Sequence, residues 1–232
     1  MVTMKKKLVA LTGAGISAES GLSTFRDSDG LWENYRIEEV ATHEALIRNR
    51  EQVVRFANML RKQCVDRKPN LGHIRLAELE RDYDVTVITQ NIDDFHEQAG
   101  SSHVIHLHGN LMKCCTMDRP DVPLDLPNGE LEMSPDATDE HGNLLRPFIV
   151  YFGEAVPMMD AAARATMEAD IFVVIGSSLN VYPAAGLMMY TKPGIPRYVI
   201  DPKPVAAAVG FEQIMATASE GMNKLTEMLR ND

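Results

Sequence analysis

The chain has 232 residues, with a formal net charge of −10, 45% hydrophobic residues and 24% charged residues. This length suits one large domain with a small insertion, and the composition is that of a globular protein. No apolar run approaches the roughly 20 residues that span a bilayer, and the acidic charge argues against a general nucleic-acid binder. The basic start has no signal-peptide cleavage site and three cysteines are too few for a disulfide framework, so we expect a cytoplasmic protein with neither membrane nor nucleic-acid partners.

Apolar, β-branched segments alternate with helical patterns along the chain. Short strands that are apolar on both faces are typical of a parallel sheet covered by helices. The sequence therefore predicts an α/β fold with a Rossmann-like doubly wound parallel sheet. The predicted strands are KLVALTG, DVTVITQN, HVIHLHG, DIFVVIGSS and PRYVIDP, and the predicted helices lie at 50–67, 71–81, 93–99, 158–168 and 220–229.

The segment 113–146 interrupts this alternation with four prolines and many acidic residues. We predict that it is an insertion made mainly of loop. In open parallel sheets, ligands bind at the carboxyl ends of the strands, which predicts a site where the unusual residues of this chain collect. These residues lie at 13–17, 90–93, 108–109, 176–178 and 201.

The turn after the first strand contains Gly13 and Gly15, which allow a close backbone approach to a pyrophosphate. A dehydrogenase would continue with a helix and a second strand that ends in an acidic residue, but this chain turns into a polar loop. In that loop, Phe25 would cover a flat ring and Arg26 would pair with a phosphate. The alternative is a structural Phe and a solvated Arg.

Polar side chains mark the end of the second strand. Asn91 offers amide donors and an acceptor to a sugar hydroxyl or water, and Asp93 accepts hydrogen bonds from a carboxamide. Helix capping explains one of Gln90, Asn91 and Asp93, but not all three.

Two histidines, His106 and His108, share one face of the third strand. His108 is at the strand end and is the better candidate for a general base near pH 7. The alternative is a metal pair completed by Cys114 or His141.

Five blocks of the sequence together resemble one protein family. They are GAGISAESGLSTFRD, TQNIDDFHEQAG, HLHG, RPFIVYFGEAVP and GSSLNVYPAAGL. In this order they resemble the signatures of the sirtuins, which are NAD-dependent protein-lysine deacylases. The resemblance implies that NAD and acyl-lysine proteins or peptides give nicotinamide, O-acyl-ADP-ribose and free lysine. It also divides the single domain 1–232 into a large Rossmann-like part at about 1–30, 70–112 and 147–232, and small-domain insertions at about 31–69 and 113–146.

The resemblance assigns roles to individual residues. Asp93 would hold the nicotinamide carboxamide, Asn91 would order the ribose and a water, and His108 would take a proton from the ribose hydroxyls. Phe25 and Arg26 would belong to a loop that folds over the cofactor. Further cofactor contacts are implied at Gly13, Ala14, Gly15, Ser17, Ala18, Glu19, Thr24, Trp32, Gln90, Ile92, Gly176, Ser177, Ser178, Asp201 and Ala218. Substrate contacts are implied at Ala57, Leu60 and Val181, and along Val150, Tyr151, Phe152, Gly153 and Glu154, a strand that would bind the peptide backbone by β-augmentation.

The interval after the histidine block departs from the family pattern. Sirtuins usually carry two Cys-x-x-Cys pairs there, whereas this chain has only Cys114 and Cys115. Adjacent cysteines do not easily chelate one tetrahedral ion, so we predict no metal. The two thiols either pack in the interior or leave one of them reactive.

The glycine block resembles the sirtuin subgroup that removes acidic acyl groups such as succinyl. That subgroup binds the acyl carboxylate with a Tyr and an Arg, and alignment places Ala57 and Leu60 at those positions. Because a buried carboxylate without a cation is costly, we predict a preference for acetyl or another neutral acyl group. Arg61 is one position away, and a local shift of the helix would bring it in. Asp201 replaces a common Asn, and its charge would favour NAD over NADP.

Three other activities remain open from the sequence. A mono-ADP-ribosyltransferase would not need the base supplied by His108, and a non-catalytic NAD-binding sensor would release no nicotinamide. A dehydrogenase would need the missing Rossmann strand. The sequence leaves the oligomeric state open, a monomer included.

Overall fold

The computed structural model describes residues 4–22 and 35–231. The strands in these ranges are β1 (Lys7–Thr12), β2 (Asp84–Thr89), β3 (Val104–His106), β4 (Gly109–Thr116), β5 (Leu124–Asp125), β6 (Leu145–Ile149), β7 (Ile171–Ile175), β8 (Arg197–Asp201) and β9 (Glu212–Met215). The α-helices are α1 (Ala14–Ala18), α2 (Ile37–Val40), α3 (His43–Arg48), α4 (Arg50–Val65), α5 (Leu71–Glu78), α6 (Phe95–Gln98), α7 (Met159–Glu168) and α8 (Ala218–Asn231). Short 3-10 helices cover Leu79–Arg81, Pro127–Gly129 and Ala184–Tyr190.

A parallel sheet with the strand order β3-β2-β1-β7-β8-β9 forms the centre of the large part. Leu8 of β1 lies opposite both Val85 of β2 and Ile171 of β7, so β1 is a central strand. One apolar core lies between the sheet and helices α5 and α8, and a second lies on the opposite face beneath α7. Helices on both faces bury the sheet, which explains the continuous apolar runs of its strands. The predicted Rossmann-like doubly wound α/β fold is therefore the architecture of this protein.

Two strands of the parallel sheet differ from the sequence prediction. Strand β9 was not predicted, because it is an edge strand in which only Ile214 is buried and the other side chains are exposed. The strand predicted at HVIHLHG is shorter, since β3 ends at His106 and the chain then turns at Gly109, where φ is +86°. His108 therefore lies in the connection between β3 and β4 rather than within a strand.

Helices α4 and α5 begin at side-chain caps. The Asn49 side chain accepts a hydrogen bond from the Gln52 amide at the start of α4, and Asn70 forms a capping box with His73 at the start of α5. A Cβ added to Gly72 would lie 2.9 Å from the Cβ of Ala218, so α5 and α8 approach closely at this glycine. Within the two described ranges, no helix is long and apolar enough to cross a membrane.

The small domain contains more regular structure than the sequence predicts. Strands β5, β4 and β6 form an antiparallel sheet in that order, and α4 packs against it. Because β4 begins at Gly109, this sheet starts inside the range assigned to the large part. The prediction of mainly loop holds for 113–146, where regular structure is limited to the end of β4, to β5, to one 3-10 helix and to the start of β6. Strand β6 was not predicted because Pro147 lies within it, and a register shift between Gly109 and Cys114 hides the alternation of β4.

Candidate active site

The glycine turn after β1 lies against the end of β7. The Gly13 amide donates to the Ile175 carbonyl oxygen at 3.0 Å, and the Gly15 amide donates to the Gly176 carbonyl oxygen at 2.9 Å. A Cβ added to Gly15 would lie 2.6 Å from the Gly176 Cα, so no larger residue fits without movement of the backbone. The result is a cradle of bare backbone, next to Ala14 at the start of α1, of the kind that holds a pyrophosphate.

The Ser17 hydroxyl joins the polar residues at the end of β2. Its Oγ accepts a hydrogen bond from Asn91 Nδ2 at 3.1 Å and donates to Asp93 Oδ2 at 3.0 Å. The His73 Nδ1 accepts from the Asn70 amide, so the protonated Nε2 faces Ser17 Oγ at 3.4 Å. His73 was not among the residues predicted for the site, although the Asn-x-x-His spacing before an apolar run signals a helix N-terminus.

Asp93 is almost completely buried, and burial is the main influence on its titration. Burial raises the pKa of the Asp93 carboxyl to about 6, while hydrogen bonds from the Phe95 amide and the Ser17 hydroxyl act in the opposite direction. Asp93 therefore uses one oxygen for helix α6 and one for Ser17. The capping explanation therefore applies to Asp93, and its predicted contact with a carboxamide stays a prediction.

His108 is held as a specific tautomer. Its Nδ1 lies 2.9 Å from the Gln90 carbonyl oxygen, which can only accept a hydrogen bond. The proton is therefore on Nδ1, and Nε2 keeps a lone pair that can take up a proton. Burial lowers the pKa of His108, and the bond to Gln90 offsets only part of that effect, so the imidazole is neutral near pH 7.

His106 has partners different from those of His108. Its Nε2 lies 2.7 Å from Glu97 Oε1, and its Nδ1 lies 3.4 Å from the Asn91 carbonyl oxygen. Across residues 4–22 and 35–231, no three His, Cys, Asp or Glu side chains come together as a possible metal site. The two histidines are therefore placed for separate tasks.

Several other predicted cofactor contacts fall into two groups. Gln90 Nε2 donates to Ser177 Oγ at 2.9 Å, and the Asp201 side chain at the end of β8 accepts from the Lys203 amide at 2.9 Å, so these side chains are near the strand ends. Two other residues contribute to the fold, because Glu19 accepts from the Ser219 amide at the start of α8 and Ala218 is buried in the core. The remaining members of the prediction are Ala18 and Ser178, which are exposed.

The segment assigned to peptide binding is anchored at both ends. The Val150 amide donates to the His108 carbonyl oxygen at 2.9 Å, which places this segment beside the histidine. The Phe152 amide donates to the Ala41 carbonyl oxygen at 2.9 Å, and the His43 amide donates to the Phe152 carbonyl oxygen at 2.9 Å. These two bonds form an isolated parallel β-bridge between Phe152 and Thr42. One edge of the segment is therefore already paired at Phe152, so a peptide strand would have to add at another edge.

Glu154 is part of an internal ion pair. Its two carboxylate oxygens accept from both terminal nitrogens of Arg146 at 2.7 and 2.8 Å, and from the Tyr151 amide at 3.0 Å. His43 Nδ1 lies 2.8 Å from Glu154 Oε1. Tyr151 itself is buried, with Arg146 stacked 4.8 Å from its ring centre. Tyr151 and Glu154 were predicted to contact substrate, but their side chains contact Arg146 of the small domain.

Ala57 and Leu60 lie in an apolar cluster beneath the polar site. Ala57 is buried in a group that also contains Leu111, with Leu60 and Ile92 packed against it. The neighbouring Arg61 is fully buried and donates to the Leu111 and Leu131 carbonyl oxygens at 2.6 and 2.8 Å. These bonds hold the guanidinium against the small domain, away from the position to which a helix shift would bring it.

The three cysteines are buried as free thiols. Burial raises the pKa of Cys64 and of Cys115 to about 12, and burial also raises the pKa of Cys114. Cys114 Sγ lies 3.0 Å from the Asp125 carbonyl oxygen, on the inner side of the small sheet. The packing alternative describes these thiols better than the reactive one.

Four residues named for the cofactor loop, Thr24, Phe25, Arg26 and Trp32, lie outside the described residues. The glycine turn after β1, the residues Gln90–Asp93 after β2, His108 after β3 and Gly176–Ser177 after β7 lie together at the carboxyl ends of these strands. The fold and this site define the class of the protein as an α/β protein built to bind a dinucleotide, with a neutral histidine beside the nicotinamide end of the predicted site.

Comparison with known proteins refines this class. Residues 13–183 match the model of the Sir2 family. An NAD-dependent protein deacylase of Bacteroides thetaiotaomicron is 52% identical over 231 residues, which cover 97% of this chain and 98% of that protein. A Sir2 homologue solved in complex with NAD superposes with a TM-score of 0.85 at 38% identity, covering 98% of this chain and 90% of that chain. A Sir2 mutant solved with a deacetylated p53 peptide and 3′-O-acetyl ADP-ribose has a TM-score of 0.80 at 32% identity, covering 97% and 94%.

The chain therefore belongs to the Sir2 family. The resemblance inferred from the five sequence blocks is confirmed, and so is the predicted fold class.

Proposed function

We propose that this protein is an NAD-dependent protein-lysine deacylase that prefers a neutral acyl group and uses His108 as its general base. The observation that carries the proposal is the 2.9 Å hydrogen bond from His108 Nδ1 to the Gln90 carbonyl oxygen, because it leaves Nε2 as a proton acceptor. The Sir2 family membership supports the NAD dependence, and the deacylase relative supports the reaction.

The described residues fit NAD. The bare backbone at Gly13, Gly15 and Gly176 would hold the pyrophosphate, since an added Cβ would fill that space. Asp93 would accept from the nicotinamide carboxamide, and Gln90 with Ser177 would lie on the adenosine side. When bound, NAD supplies an electrophilic ribose carbon with nicotinamide as its leaving group.

Three polar residues of the site would then have distinct tasks. Ser17 keeps the Asn91 amide and the Asp93 carboxylate at fixed positions through its two hydrogen bonds. Asn91 would present its amide oxygen to a ribose hydroxyl of bound NAD, and His108 Nε2 would accept the proton of that hydroxyl. This proton transfer raises the nucleophilicity of the ribose oxygen, which is the contribution of a general base.

The acyl preference rests on the apolar surroundings of Ala57, Leu60 and Ile92. An acetyl or longer alkyl group loses nothing by entering such a pocket, whereas a succinyl carboxylate would lose its hydration without gaining a cation. Arg61 is not assigned as that cation, because its Nε and Nη1 donate to the Leu111 and Leu131 carbonyl oxygens and fix the guanidinium there.

The test uses NAD and peptides of one sequence that carry acetyl-, butyryl- or succinyl-lysine, with products followed by mass spectrometry. We expect nicotinamide, free lysine and O-acyl-ADP-ribose from the neutral peptides, and loss of all three in His108→Ala. Leu60→Arg should raise turnover of the succinyl peptide relative to the acetyl peptide, and Leu60→Met is its matched control.

Two results would replace the proposal. Transfer of ADP-ribose to protein while every acyl-lysine stays intact would establish a mono-ADP-ribosyltransferase. Binding of NAD without release of nicotinamide would establish a non-catalytic sensor. A wild-type preference for the succinyl peptide would refute the acyl assignment alone.

A further inference from the structure

His106 connects the Asn91–Asp93 segment to helix α6. Its Nδ1 faces the Asn91 carbonyl oxygen at 3.4 Å, and its Nε2 faces Glu97 Oε1 at 2.7 Å. The imidazole is mostly buried, with 13% of its side chain exposed, while 42% of the Glu97 side chain is exposed. Asn110 Nδ2, in β4, lies 3.5 Å from the same Nε2 and borders the ring.

Both ring nitrogens of His106 face oxygen acceptors. A carbonyl oxygen and a carboxylate can only accept hydrogen bonds, so both interactions are satisfied only when the imidazole carries two protons and a positive charge. Burial is the largest single influence and acts against that charge, but Glu97, the Asn91 carbonyl oxygen and Asp93 together outweigh it, so the pKa of His106 is raised above 6.5.

The imidazolium also acts on the buried carboxylate of the same segment. Burial raises the pKa of Asp93, and the positive charge of His106 is one of the influences that lower it again. The other titratable groups that face this region are Glu97, which pairs with His106, Asp94, which raises the pKa of Asp93, and the buried His96, whose pKa lies well below 6.5. His106 is therefore the group among these whose positive charge lowers the pKa of Asp93.

We propose that protonated His106 is a positioning residue, which holds the Asn91–Asp93 segment in its binding geometry through the Asn91 carbonyl oxygen while Glu97 keeps the imidazole charged. This inference rests on the proposed function, because it assumes that Asn91 and Asp93 bind NAD. It assigns opposite requirements to two histidines that are two residues apart. His108 must be neutral to accept a proton, and His106 must be charged to hold the segment.

The experiment measures kcat/KM for NAD from pH 5.5 to 9, a range that follows from the reference pKa of about 6.5 for histidine. Glu97→Gln keeps the size and a hydrogen-bonding group but removes the charge that favours the imidazolium. His106→Asn keeps an amide donor near the Asn91 carbonyl oxygen but carries no charge. His103→Asn is the matched control, because His103 is an exposed histidine just before β3 that contacts Thr86.

We expect the alkaline limb of the Glu97→Gln profile to move to lower pH by about one unit, which is the pKa shift typical for loss of an opposite charge. At the alkaline end of the profile, the kcat/KM of Glu97→Gln should therefore be about tenfold lower than that of the wild type. On the acid side of the optimum, Glu97→Gln should equal the wild type. His106→Asn should lose activity throughout, and its acid limb should move to higher pH because Asp93 loses a nearby cation. His103→Asn should follow the wild-type profile.

A titration of the histidine ring protons by NMR gives a readout that does not depend on turnover, with the His106 signal assigned from its loss in His106→Asn. A His106 pKa at or below 6.5, or a Glu97→Gln profile that overlays the wild type at every pH, would overturn the inference. If the wild-type protein has no NAD-dependent activity, the proposed function fails, and the NMR titration then decides separately whether His106 is charged.

Discussion

Replacement of Glu154 by Ala should cost a large part of the stability of the small domain. The carboxylate accepts two hydrogen bonds from Arg146 and one from the Tyr151 amide, and it contacts His43. The Arg146 side chain is only 2% exposed, and the Glu154 side chain is 15% exposed. The variant would therefore leave a guanidinium in the interior without its counter-charge.

The expected magnitude follows from that burial. Loss of one partner of a buried ion pair costs about 3–5 kcal/mol, most of it from the charge that stays behind. With a urea m-value of about 3 kcal/mol per M, a loss of 3 kcal/mol lowers the unfolding midpoint by about 1 M. Glu51→Ala is a suitable control, because the Arg55–Glu51 pair on α4 is 71% and 62% exposed, and such a pair contributes about 0.5 kcal/mol or less.

The assay is urea unfolding followed by circular dichroism, in the wild type, Glu154→Ala, Arg146→Met and the double variant. The double variant should be more stable than the sum of the two single losses predicts, since it leaves no unpaired buried charge. Burial acts to raise the pKa of Glu154, but the hydrogen bonds from Arg146 and His43 lower it below its usual value. The stabilisation should therefore be present above the unfolded pKa of about 4.3 and decrease as the pH falls through the folded pKa. A loss in Glu154→Ala no larger than in Glu51→Ala would refute this reasoning.

Three further predictions concern the site and the thiols. Gly15→Ala should weaken NAD binding strongly and lower the free energy of unfolding by about 1–3 kcal/mol, because the alanine Cβ would meet the Gly176 backbone. Calorimetric titration with NAD measures the affinity and thermal melting measures the stability. An unchanged affinity for NAD would contradict the prediction. The kcat/KM for NAD should fall as the pH drops through about 6, where Asp93 takes up a proton. Ser17→Ala should move this acid limb of the pH-rate profile to higher pH, because the Asp93 carboxylate loses a hydrogen-bond donor. If the acid limb does not move in Ser17→Ala, Asp93 is not its origin. Cys64 and Cys115 should not react with a thiol reagent in the native protein, since burial raises their pKa to about 12, whereas all three cysteines should react in denaturant; rapid native labelling of either thiol would show that its burial is wrong.

Much of the fold followed from local patterns, and the failures have local causes. Continuous apolar runs identified β1, β2, β7 and β8, because a strand buried on both faces has no polar side to obscure it. Strand β9 escaped because its side chains apart from Ile214 are exposed, and β6 escaped because Pro147 is typical of loops rather than strands. The residues that surround the site followed from their positions at strand ends, where a parallel sheet places them together.

Sequence alone determined which chemical groups lie at the carboxyl edge of the sheet, because the ends of the strands depend on local apolar runs and glycines. Only the tertiary structure decided the tautomer of His108, the charge of His106 and the position of the Arg61 guanidinium. The carbonyl oxygen of Gln90 sets the tautomer of His108, Glu97 favours the charged form of His106, and the Leu111 carbonyl oxygen holds Arg61 against the small domain. These partners lie between 9 and 50 residues apart in the chain, and a protonation state depends on the distance and burial of a partner, which no local pattern contains.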